Sequence, residues 1–168
     1  MKKLIEMIKS ETNANFVNLK TAIMTYDREA SVCGSPAWRY VYHTIHSADK
    51  WYFNPSVFTE PELQKEKGMD NPDAPCTAVI SDGELLDYLE QVRIKTMDYL
   101  DTLTDEQLYE YPENCRFMRL ELVLRQFRHI SFHTGMINGQ TAERTGRFPV
   151  YVSPDYLDRL EKGYYDEG

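Results

Sequence analysis

Apolar residues recur at helical spacing in four long segments of this chain, and no stretch alternates apolar and polar residues for long enough to build a sheet. The first segment runs from about Lys2 to about Arg28 on Leu4, Ile5, Ile8, Phe16, Leu19, Ile23 and Met24, with a weak patch at Thr12 to Asn15 where a bend is expected. After Cys33-Gly34, Ser35 reads as an N-cap and Pro36 as a first-turn proline. They predict a second helix to about Phe53, striped by Trp38, Val41, Tyr42, Ile45, Ala48 and Tyr52 and stopped by Asn54-Pro55. Residues Asn54 to Ile80 carry four prolines and no sustained period, so they predict a long connection with a helical turn near Glu60 to Gln64.

Ser81-Asp82-Gly83-Glu84 is a capping box and opens a third helix to about Leu103, through Leu85, Leu89, Val92, Met97 and Leu100. Thr104-Asp105-Glu106-Gln107 is a second capping box, for a short helix. The fourth long helix is predicted from about Met118 to about Thr141, with Leu120, Val123, Leu124, Phe127, Ile130 and Ile137 inward. A brief β-prone run at Phe148 to Val152 and a short helix after Ser153-Pro154 complete the chain. The fold class expected is all-α, and a four-helix bundle in a single domain buries these stripes most simply.

With 168 residues, 42% of them hydrophobic, such a domain buries roughly 70% of its unfolded surface and needs neither disulfide nor structural metal. The net charge of −8 repels phosphate backbones and anionic lipid, so neither nucleic acid nor a membrane is an expected partner. Cys33, Cys76 and Cys115 form no paired spacing, which points to a reducing, cytoplasmic setting. Met1 to Ser10 reads as a helix start rather than a signal peptide. The longest stretch without a charged residue, His129 to Ala142, falls short of the ~18 apolar residues of a membrane span.

All four histidines fall on two predicted helices: His43 and His46 on the second, His129 and His133 on the fourth. His129 and His133 are one helical turn apart on one face, the spacing with which two imidazoles chelate one metal ion. A third histidine from a facing helix makes an open three-nitrogen site, with water completing the shell as in catalytic zinc centres. Nickel and iron also accept such ligation. On the helical wheel, His46 lies nearer the apolar stripe of the second helix than His43 does.

The run Tyr42 to Trp51 (YHTIHSADKW) and the run Gln126 to Ile137 (QFRHISFHTGMI) resemble the DinB-like superfamily, which also contains YfiT-type metal-dependent hydrolases and bacterial thiol-dependent transferases. The family pattern is one histidine on the second helix and His-x-x-x-His on the last, followed closely by Gly, matched here by His129, His133 and Gly135. Similar members place the second-helix ligand eight residues before an aromatic residue, which selects His43 through Trp51. The resemblance implies an up-down-down-up bundle, a divalent ion held by His43, His129 and His133 (zinc or nickel before iron or manganese), and often a homodimer. The chain departs from the YfiT-type ending His-Arg-Gly-Gln, reading His133-Thr134-Gly135-Met136 instead.

With His43 as ligand, His46 is the candidate to orient water or accept a substrate proton; Asp49 could bond a ligating imidazole or serve as a base, although a solvated or salt-bridged role is the expected one. Arg125 and Arg128 suit a substrate carboxylate, although pairing with carboxylates of neighbouring helices is the expected role. The twelve tyrosines and two tryptophans are expected mostly in core and interface packing, with some lining a pocket. The reading is a metal-dependent enzyme that hydrolyses a small molecule or transfers a thiol to it. The competing reading is a non-catalytic, stress-related binding or scaffold bundle with a vestigial site.

Overall fold

The computed structural model describes residues 3–166, in which four long helices carry nearly all the regular structure: α1 (Leu4–Thr25), α2 (Ala37–Trp51), α3 (Asp82–Asp101) and α4 (Arg119–Thr145). Met1 and Lys2, where the first helix was expected to begin, lie outside the described residues. The fold is all-α, with α1 and α2 each packed on both α3 and α4. Leu19, Ile45, Leu85 and Ile130, one from each helix, are fully buried where these faces meet. Each such side chain contributes roughly 1.5–3 kcal/mol relative to an exposed one.

The bend expected at Thr12 to Asn15 is absent, and α1 is continuous there. Tertiary contacts offset the weak local propensity: Asn15 Nδ2 donates to the Phe127 carbonyl at 2.9 Å and its Oδ1 accepts from Ser131 Oγ at 3.1 Å. The first turn of α1 is capped from a distance, because the Asp105 carboxylate accepts from the backbone N–H of Leu4 and Ile5 at 3.0 and 2.9 Å.

Ser35 does not cap α2. It forms with Pro36 a two-residue strand (β2) paired to Ser31–Val32 (β1), Pro36 itself occupies the cap position, and the Ser35 hydroxyl donates to the Pro72 carbonyl at 2.5 Å. The capping box of α3 forms as written in the sequence, with Glu84 N–H on Ser81 Oγ at 3.2 Å and Ser81 N–H on Glu84 Oε2 at 2.8 Å. Thr104 and Gln107 also exchange their reciprocal bonds, but only a 3-10 turn at Gln107–Tyr109 follows. The helix α4 runs past Thr141 to Thr145 and stops at Gly146, whose φ of 69° is the left-handed conformation that glycine adopts without strain.

Two apolar residues expected inward, Met24 and Leu124, are exposed. The buried face of α4 includes Gln126 and His133, so a stripe drawn from hydrophobicity alone is rotated away from the true one. Of the tyrosines, Tyr40, Tyr42, Tyr52 and Tyr88 are core, while Tyr109, Tyr111, Tyr151, Tyr156 and Tyr164 are exposed.

The long connection forms a 3-10 turn at Pro55–Val57 and only a bonded turn at Pro61 to Gln64, where a helical turn was expected. It is nevertheless tightly fixed. Buried Arg39 of α2 donates to the carbonyls of Asn71, Pro72 and Ala74 at 2.6 to 3.0 Å, and Met69 inserts fully into the core. The C-terminal segment folds back on α1: Asn18 exchanges two bonds with the Val152 backbone, a 3-10 segment spans Pro154–Lys162, and Phe148–Pro149 (β3) pairs with Tyr165–Asp166 (β4). No helix among the described residues is long and apolar enough to cross a membrane.

Candidate metal centre

Packing of α2 on α4 brings three histidines together. His43 Nε2 lies 3.0 Å from His129 Nε2, which lies 3.1 Å from His133 Nε2. One ligand atom from each of the three falls within 4.8 Å of the other two. Two nitrogens bound tetrahedrally to one ion at ~2.0–2.1 Å would stand about 3.3 Å apart, so the His43–His129 and His129–His133 pairs need only open slightly to share one, with the third pair within 4.8 Å.

Its protons favour the same reading. His43 Nδ1 is 2.7 Å from the Asp70 carbonyl, which can only accept, so Nδ1 carries the proton and Nε2 presents a lone pair to the cluster. His129 Nε2 carries either a proton, which serves only one of its two neighbours, or a lone pair, which then faces the His43 lone pair. The Nδ1 atoms of His129 and His133 are buried without a partner among the described residues. A cation between the three Nε2 atoms removes that conflict, so the residues present fit a metal ion. Burial, with the neighbouring imidazoles adding to it, pushes His129 down to about 3 and His133 down to about 4. Both are therefore neutral near pH 7, the state in which imidazole ligates.

His46 and Asp49 are not in this cluster. His46 Nε2 lies 2.6 Å from Glu60 Oε2 and its ring packs edge-on to Phe58. Asp49 accepts from Tyr88 Oη at 2.9 Å and from Lys95 Nζ at 2.6 Å. Neither bonds a histidine of the cluster: Asp49 takes the salt-bridged role expected of it, and neither fills the position that orients a ligating imidazole. That position belongs to the Asp70 carbonyl, a backbone group that no side-chain pattern could have flagged. A chain of bonds steadies it from behind, Tyr42 Oη to Gln64 Oε1 at 2.5 Å and Gln64 Nε2 to Asp70 Oδ1 at 3.0 Å.

A methyl group placed on Gly135 would meet nothing within 4 Å, so packing places no demand on that glycine. The three cysteines are free. Arg125 and Arg128 make none of the ion pairs expected of them among the described residues, and with His129 they line a cavity of about 410 Å³. Compared with protein-family models, curated proteins and solved structures, the chain finds no match.

Proposed function

We propose that this chain is a DinB-like metal-dependent enzyme, an up-down-down-up four-helix bundle in which His43, His129 and His133 hold a divalent ion, zinc or nickel. Its reaction is hydrolysis of a small molecule or transfer of a low-molecular-weight thiol to one. The observation that carries this reading is the convergence of three Nε2 atoms at 3.0 and 3.1 Å from two packed helices. An ion there supplies Lewis acidity, lowering the pKa of a water or thiol that reaches it. The chain's own part is to keep His129 and His133 neutral by burial, to fix the His43 tautomer through Asp70, and to leave an opening beside His129.

Elemental analysis of tag-free protein tests it. One ion per chain is expected, lost in His133→Ala and kept in His46→Ala. Wild-type protein that stays metal-free, and whose melting temperature does not move on adding zinc or nickel, would overturn the reading. Screens of thiol conjugation and of small ester or amide hydrolysis with loaded protein then decide between the two reactions.

A further inference from the structure

The cavity beside His129 is bounded by two helical stripes that lead away from the histidines. On α2, Ser47 and Trp51 follow His43 at successive turns; on α4, Arg125 and Arg128 precede His129, and Phe132 follows it. Arg116 and Phe117, just before α4, close the far side. Among the described residues the lining therefore holds three guanidinium groups and no carboxylate, in a chain whose net charge is −8.

That arrangement is not what spare carboxylates would produce by default. Arg28, Arg93, Arg119, Arg144 and Arg159 each pair with an acidic side chain, whereas Arg116, Arg125 and Arg128 pair with none among the described residues. Two of the three are held instead by the Phe117 ring, with Arg125 Cζ 3.9 Å and Arg116 Cζ 4.7 Å from its centroid. A guanidinium stacked through its face keeps its in-plane N–H donors free for a planar anion or a phosphate. Trp51, Phe117 and Phe132 supply apolar walls beside those donors. At about 410 Å³ the space suits a small molecule.

We infer that this cavity binds a small molecule carrying a carboxylate or phosphate on an apolar or aromatic body, the anion held by Arg125 and Arg128 with Arg116 at the rim, and the body laid against Trp51, Phe117 and Phe132. Arg125 precedes His129 by four residues, about 6 Å along the helix, so such a ligand points its other end toward the histidine cluster. The inference rests on the metal reading only for which end of the ligand reacts.

Calorimetric titration of phenyl phosphate, phenylacetate and neutral phenylacetamide into zinc-loaded and into chelator-stripped protein tests it. Both anions are expected to bind in each form and the amide not to. In Arg125→Gln/Arg128→Gln, with zinc content unchanged, anion affinity should fall about tenfold or more, as for lost charge-assisted hydrogen bonds. Equal binding of amide and anions, no anion binding at millimolar concentration, or anion binding indifferent to the double substitution would overturn the inference and leave the metal reading untouched. Arginine-dependent anion binding by a protein that never takes up metal would sustain the inference while the metal reading falls. A single-stranded oligonucleotide that displaces phenyl phosphate and binds more tightly than it does would overturn it in favour of a nucleic-acid surface.

Discussion

Two cavities flank α2, and the larger one is the less promising. The larger, about 570 Å³, is lined by Asp49, Glu62, Glu84 and Asp87 with Lys95, and touches no histidine of the cluster. The smaller, about 410 Å³, holds His129 and the three arginines. Asp49 and Ser47, which face the two spaces, are about 200° apart on the helix. On the acidic side, two of the charges already have partners: Asp49 is bonded by Tyr88 and Lys95, and Lys65 first, with the Ser81 cap, draws Glu84 down to about 2. On the cationic side the guanidinium groups have no acidic partner among the described residues, and the imidazole nitrogens converge. Unsatisfied chemistry, more than volume, distinguishes a site built for a ligand from a gap between well-paired elements.

The sharpest way to break that contrast is to cross metal content with the two sides of α2. His129→Ala is expected to abolish stoichiometric metal, whereas Asp49→Asn is expected to retain it; loss in both, measured on folded protein, would merge the two sides into one site. Next in size is the stability of the acidic side. Asp49→Ala leaves buried Tyr88 without its acceptor and should cost about 2 kcal/mol in urea unfolding of metal-free protein, and an unchanged midpoint would show that this bonding is idle.

Acid should distinguish the sides further. The folded values of His129 and His133, about 3 and about 4, lie below the ordinary value near 6.5. As pH falls the unfolded chain therefore takes up these protons first. Stability of the metal-free protein is retained above about pH 6.5 and lost as pH drops through the window down to about 4 and then about 3. Denaturation at pH 7 and pH 4.5 should show a shallower loss in His129→Gln/His133→Gln than in wild type, and identical slopes would remove the histidines as the cause. The smallest effect belongs to Lys95→Ala, which removes a half-exposed ammonium from Asp49 and should shift unfolding by about 1 kcal/mol or less. A larger loss would mean that the acidic side is more tightly built than its exposure suggests.

The helices were legible because their boundaries are chemical. The Ser81/Glu84 box forms at the predicted place, and its two reciprocal bonds depend on residues three apart. The His129/His133 pair was legible for a similar reason, since one turn of helix fixes its geometry. The choice between His43 and His46 was not, because α2 is buried nearly all round and its stripe does not say which face meets α4. Only the resemblance favoured His43, and the packing of α2 on α4 places that residue in the cluster. That Arg125 and Arg128 meet no carboxylate among the described residues is a tertiary fact, which sequence position does not reveal. Asp70 escaped notice because its contribution is a carbonyl, and position along a proline-rich connection says nothing about where a backbone group will point.

The bond from His43 to Asp70 joins the cluster to a segment that Arg39 ties back to the same helix. Linkage makes that connection reciprocal: whatever holds the segment in place must raise affinity for an ion at the histidines, by the same factor as the ion's presence steadies the segment. A substitution at Arg39, whose guanidinium bonds the connection rather than any of the three histidines, would then weaken metal binding, and amide exchange around Asp70 would slow on loading. If the histidines hold an ion, the stretch between α2 and α3 would act as a remote control on it, open to tuning without altering a single ligand.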